Sequence, residues 1–165
     1  MVLSPHERPK RTIIVPPAVN ILLFDDVQHR SQVIALWKSV FGYQAPHNAP
    51  ELAIAKKLAV ADGLFFVAVE RQAVVGTVMA GYDGHRGWIY SLAVHPDWRK
   101  QGIGSALLRH AEARLSTLGC LKINLQILEE NQSVQAFYSS HGYSTEKRIS
   151  MGKKLPENVP GSVSS

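Results

Sequence analysis

The stretch Leu92-Ala93-Val94-His95-Pro96-Asp97-Trp98-Arg99-Lys100-Gln101-Gly102-Ile103-Gly104-Ser105-Ala106-Leu107-Leu108 carries the reading of this chain. A β-branched run ends at His95-Pro96-Asp97, which breaks a strand, and an amphipathic helix follows with Ile103, Leu107, Ala111, Leu115 and Leu118 at helical spacing. Two glycines fall in the first turn of that helix. Amide N–H groups at a helix start lack intrahelical acceptors and share the positive end of the helix dipole, and glycines let a phosphate come close to the backbone. The segment is therefore an anion cradle, with Arg99 and Lys100 adding charge at its lip. Two other phosphate loops are excluded. A Walker A loop needs Gly-Lys-Ser/Thr, whereas Gly104 is followed by Ser105 and Ala106; the dinucleotide fingerprint needs a third glycine where Leu107 stands.

Outward from this segment, the pattern predicts a strand at residues 20–24 and a helix capped by Asp25 or Asp26 that carries Val33, Leu36, Trp37 and Val40 on one face. A second helix starts near Pro50 and presents Leu52, Ala55, Leu58 and Ala59. Strands at 64–69 and 73–80 form a hairpin around Glu70-Arg71-Gln72, and a third at 88–95 completes a meander. After the long helix, capped by Gly119, come a strand at 121–128, a helix from Asn131 through Val134, Phe137 and Tyr138 to near Gly142, and a last strand over 143–155. This order lacks βαβ repetition. It predicts an α/β chain of the mixed α+β kind, with a mostly antiparallel mixed sheet and helices on both faces.

The chain has 165 residues, a range in which one hydrophobic core is expected, and it divides into a basic N-terminal extension at 1–17, one domain over 18–155 and a tail at 156–165. Cys120 is its single cysteine, which excludes an internal disulfide and a multi-cysteine zinc site; the seven histidines show no metal-ligand spacing, so no metal is expected. A net charge of +5 favours an anionic partner, but no basic-aromatic interleaving, helix-turn-helix or zinc motif points to nucleic acid. No run approaches the ~20 apolar residues of a membrane span, and the expected setting is the cytoplasm, as a monomer or homodimer.

Arg99-x-x-Gly102-x-Gly104, between a Val-His-Pro strand end and an amphipathic helix, resembles the acetyl-CoA signature of the GNAT superfamily of N-acyltransferases. Asn131 through Ala136-Phe137-Tyr138 and Gly142-Tyr143 is similar to that family's second signature, so the resemblance spans roughly residues 20–155. Within the family, residues 76–96 and the ending at 150–155 are similar to the bacterial subgroup usually called YpeA. The resemblance implies an acetyl-CoA-dependent N-acetyltransferase acting on a primary amine by direct attack. It implies a splay between the fourth and fifth strands that receives the pantetheine arm, with Leu92, Ala93 and Val94 pairing to its amides. The diphosphate would lie on Arg99, Lys100, Gln101, Gly102, Ile103, Gly104 and Ser105; Asn131 would reach the arm, and Tyr138 would protonate the leaving thiolate. The base is left open among Glu129, Asp83, His85 through water, and buffer. A noncatalytic CoA-binding module of the same fold is the alternative.

Overall fold

The computed structural model describes residues 18–42 and 48–156. The extension at 1–17 and all but the first residue of the predicted tail lie outside the described residues. The described residues fall into two compact units, one ending at Gln126 and the other starting at Ile127.

In the first unit a five-stranded sheet has the order β1 (Val19–Leu23), β2 (Phe65–Glu70), β3 (Ala73–Tyr82), β4 (Gly87–Val94), β5 (Ile123–Asn124). All neighbours are antiparallel except β4 and β5, which run parallel. Between β1 and β2 lie α1 (Asp26–Phe41) and α2 (Pro50–Val60), and between β4 and β5 lies α3 (Ile103–Thr117). Asp25 caps α1 as expected, its carboxylate accepting the Gln28 amide at 2.8 Å. Pro50 opens α2, where its missing N–H costs nothing.

Strand alternation places helices on both faces. Phe65, Val67, Met79 and Ala93 pack with Val33, Leu36, Trp37 and Ile54 of α1 and α2. On the other face, the Phe66 ring meets His110 of α3 edge-on at 4.6 Å, and Gly76 lies under Leu107 and Ile103. Gly76 packs closely here: an added Cβ would come within 2.9 Å of Leu107 Cδ1 and 3.1 Å of the Ala93 carbonyl oxygen.

Several local expectations need correction. The hairpin turn is two residues, not three: Glu70 pairs with Ala73, and Arg71 and Gln72 both take positive φ (45° and 68°), which matches the strand twist. On α2 the buried face is Pro50, Ile54 and Lys57, while Leu58 is 37% exposed. A lysine replaces the expected leucine there because its ammonium finds Asp62 and a backbone carbonyl. On α3, Leu118 is exposed and Leu108 is buried instead. The strand expected at 121–128 shrinks to Ile123–Asn124, leaving Leu121 and Leu128 exposed.

The second unit contains α4 (Gln132–Ser139), capped by Asn131, whose Oδ1 accepts the Val134 amide at 3.3 Å. The strand expected at 143–155 does not form. Its apolar residues Ile149, Met151 and Leu155 are exposed, and without a ladder partner or a buried face their β-propensity has nothing to act through.

Candidate functional site

The end of β4, the loop after it and the start of α3 form one continuous feature. His95 closes the strand: its N–H donates to the Val75 carbonyl at 2.8 Å, and its Nδ1 accepts the Asp97 amide at 3.2 Å, which turns the chain through Pro96–Trp98. Arg99 Nε donates to the Val94 carbonyl at 3.2 Å, tying the loop back to the strand end, while Lys100 and Gln101 are exposed. Lys100 and Gly102 both have positive φ, 59° and 82°. For Lys100 that conformation costs on the order of 1–2 kcal/mol, whereas Gly102 adopts it freely.

Gly102 is the N-cap of α3 and contributes no side chain to its amides, and the first turn holds no acidic residue. Ile103 is buried and anchors the turn in the core, and Gly104 and Ser105 are half-buried beside it. A positive helix end without a carboxylate of its own, flanked by two cations, suits a diphosphate.

The adjoining strand opens at the same end. β4 pairs with β5 at two positions only, Gly87 with Ile123 and Trp88 with Asn124, both at the start of β4. Across β3 the register is broken: Thr77 faces Ala93 and Met79 faces Tyr90, so Ser91 and Leu92 together oppose Val78. This bulge bends β4 away from a flat ladder and sets Ser91 at φ 51°. Leu92 and Val94 are half-buried and Ala93 is buried. Parallel strands that touch only at their beginnings leave the later backbone of β4 to another partner.

On the α1–α2 face of the sheet, two adjoining cavities share Lys57, Val60, Tyr90 and Gln126. One, of about 590 Å³, is bordered by Asp62, Tyr82, Asp83 and Trp88; the other, of about 680 Å³, by Trp37, Phe41, Lys56 and Ser91. The bulge thus lines the second cavity. Lys57 stands between them, 7% exposed, donating to Asp62 Oδ2 at 2.7 Å and to the Ala80 carbonyl, with its ammonium 5.6 Å from the Tyr90 ring centre. Sequence reasoning missed this ion pair. Its only trace was a lysine three residues after Ile54, on the face that α2 buries.

The candidate bases have different surroundings. Asp83 Oδ1 accepts the amides of Arg86 (2.6 Å) and His85 (2.8 Å), and these donors hold its carboxyl below the usual range, so it is a poor proton acceptor at neutral pH. His85 is exposed in the same turn, beside Arg86. In the second unit, Glu129 is exposed and its carbonyl accepts from the Gln135 side chain at 2.8 Å. Tyr138 is 7% exposed, packed edge-on against Phe137 (5.2 Å) and Tyr143 (5.4 Å), and burial pushes its hydroxyl up to about 12. Cys120 is half-buried in the loop before β5, its thiol donating to the Lys122 carbonyl at 3.3 Å.

The family model of the acetyltransferase (GNAT) family matches residues 30–143, most of the chain and all of the features above. The chain belongs to the GNAT acetyltransferase family. An acetyltransferase of Pectobacterium atrosepticum is 44% identical over 140 residues, covering 85% of this chain and 96% of the relative. One of Yersinia enterocolitica is 43% identical over 124 residues, covering 75% and 87%. Among solved structures, the aminoglycoside N-acetyltransferase AAC(6')-Iy in complex with CoA has a TM-score of 0.68 at 20% identity, covering 86% of this chain and 99% of that one. This GNAT chain is therefore an acyltransferase, and its fold is shared with that solved structure. Among its described residues no helix is long and apolar enough to cross a membrane.

Proposed function

We propose that this GNAT protein transfers the acetyl group of acetyl-CoA to a primary amine bound in the paired cavities beside Ser91. The observation that carries the reading is the coincidence at one end of β4 of two features: a helix start with no side-chain cap, and a strand whose pairing to β5 stops after two residues. Acetyl-CoA supplies an activated thioester carbonyl and a thiolate leaving group. In this reading the N–H groups from Gln101 to Ser105, with Arg99 and Lys100, hold the diphosphate, and the backbone of Leu92, Ala93 and Val94 holds the pantetheine amides. The family resemblance assigns Asn131 a contact to that arm besides its capping of α4.

The bulge sets Ser91 in the wall of the second cavity, and a strand N–H there would steady charge developing on the carbonyl oxygen; such donors work best when fixed in advance. The family resemblance assigns Tyr138 Oη the role of proton donor to the departing sulfur. Its burial keeps the proton on at every physiological pH. The aromatic walls, Tyr90 and Trp88 at 42% and 38% exposure, suit an amine that arrives as a cation and must shed its proton before attack. With Asp83 committed to its turn, water leading to bulk solvent, His85 or Glu129 takes that proton.

A thiol-release assay with acetyl-CoA and an amine panel of peptide N-termini, lysine peptides, polyamines and amino sugars tests the reading. Thiol release with at least one of these amines is the expected result. Uptake of CoA with no release on any of them would make the protein a CoA-binding module without transferase chemistry.

A further inference from the structure

A buried chain of side chains ends on the bulge. Trp37 Nε1 of α1 donates to Thr77 Oγ1 of β3 at 2.8 Å, and Thr77 Oγ1 lies 2.9 Å from the Ser91 carbonyl oxygen. An indole nitrogen can only donate, so the hydroxyl accepts from Trp37 and must spend its own proton on Ser91. The direction of the whole chain is thereby determined. Thr77 is 0% and Trp37 3% exposed, so water cannot substitute for either partner. The acceptor at the end is not an ordinary ladder carbonyl. It belongs to the residue with φ 51°, one of the two that oppose Val78, and it lies where a non-glycine residue is held against its own preference.

We propose that Trp37 and Thr77 are positioning residues that lock the β4 bulge, so that the backbone around Ser91 keeps the geometry which receives the acetyl carbonyl. The role in turnover rests on the acetyl-transfer reading above; the locking of the bulge does not. Helix α1, which forms one wall of the second cavity through Trp37 and Phe41, is by this link tied to the floor of the same cavity at Ser91. Without the hydroxyl, the Ser91 peptide is free to rotate toward an unbulged ladder, and the adjoining N–H groups lose their aim.

Thr77→Val keeps the shape and removes the hydroxyl; Thr77→Ser keeps the hydroxyl and serves as the rescue. In the free protein, amide exchange at residues 91–94 should speed up tenfold or more in Thr77→Val relative to exchange at Phe65–Val67, and return to the parent rate in Thr77→Ser. Uniform acceleration across β2 and β4, or none, overturns the lock. In the thiol-release assay, using the best amine of the panel, Thr77→Val should lower kcat tenfold or more with KM for acetyl-CoA within threefold, while Thr77→Ser stays within threefold of the parent in both. A loss confined to KM, or an equal loss in both variants, overturns the positioning role. Should Thr77→Val not fold, Thr77→Ala also removes the hydroxyl and is held to the same exchange result. A parent protein that releases no thiol from any amine defeats the acetyl-transfer reading, and the exchange comparison still decides the lock.

Discussion

Gly76→Ala adds a single methyl group between the sheet and the helix that carries the proposed diphosphate site. Built on the observed backbone, its carbon lies 2.9 Å from Leu107 Cδ1, 3.1 Å from the Ala93 carbonyl oxygen and 3.3 Å from Ile103 Cγ2. Carbon atoms rest at about 3.5–4.0 Å, so Leu107 has to retreat by about 0.6–1.1 Å. The Ala93 oxygen belongs to the β4 backbone and does not yield. Leu107 and Ile103 are 0% and 1% exposed, which leaves them no open space to move into. The strain therefore falls on the first two turns of α3. Gly76 has no positive φ, so the effect is steric and not a loss of conformational freedom. Overpacking of this kind costs about 1–3 kcal/mol, and for a chain of this size each kcal/mol lowers Tm by about 3 °C. Urea unfolding of parent and variant, followed by calorimetric titration with CoA, measures both consequences: a stability loss in that range and a several-fold weaker uptake. A variant within about 0.5 kcal/mol of the parent that takes up CoA equally well would refute the claim that close packing at Gly76 sets the position of the helix start.

Tyr138→Phe should lower turnover by on the order of a hundredfold with CoA affinity unchanged, and full turnover in the variant removes Tyr138 from the chemistry. Because burial raises the hydroxyl from its ordinary 10.0 to about 12, rate loss from Tyr138 ionisation should be absent at pH 10 and centre near 12. The same shift has a stability sign. The folded state holds this proton more tightly, so the contribution is intact below pH 10 and is lost as pH rises from 10 to 12, with a slope of at most about 1.4 kcal/mol per pH unit. Unfolding curves at pH 9, 10 and 11 should fall less steeply for Tyr138→Phe than for the parent, and parallel curves would contradict the burial argument.

What could be read from the residues, and what could not, divides along physical lines. The meander, the long helix after it and the caps Asp25 and Asn131 follow from local patterns, because a cap or a period acts over a few neighbouring residues; Gly102, read as part of the first turn, is instead the N-cap of α3. The family signatures were legible for the same reason, being contiguous in the chain. Lys57 was not, because its burial depends on Asp62 and a carbonyl of β3 that only the fold brings to it. The bulge at Ser91 was also hidden: no glycine marks it, and what holds it are two residues, Trp37 and Thr77, distant in the chain. The strand expected over 143–155 shows the converse error, a propensity read without a partner to realise it.

Titration of 15N-labelled protein with CoA, following the amides of Gln101, Gly102, Ile103, Gly104 and Ser105 together with those of Leu92, Ala93 and Val94, tests the central claim most directly. Both groups should shift in saturable fashion at the same CoA concentration, the first as its N–H groups meet the diphosphate and the second as β4 gains a partner. Saturable binding that leaves both groups unmoved, or no binding at all, would contradict the account.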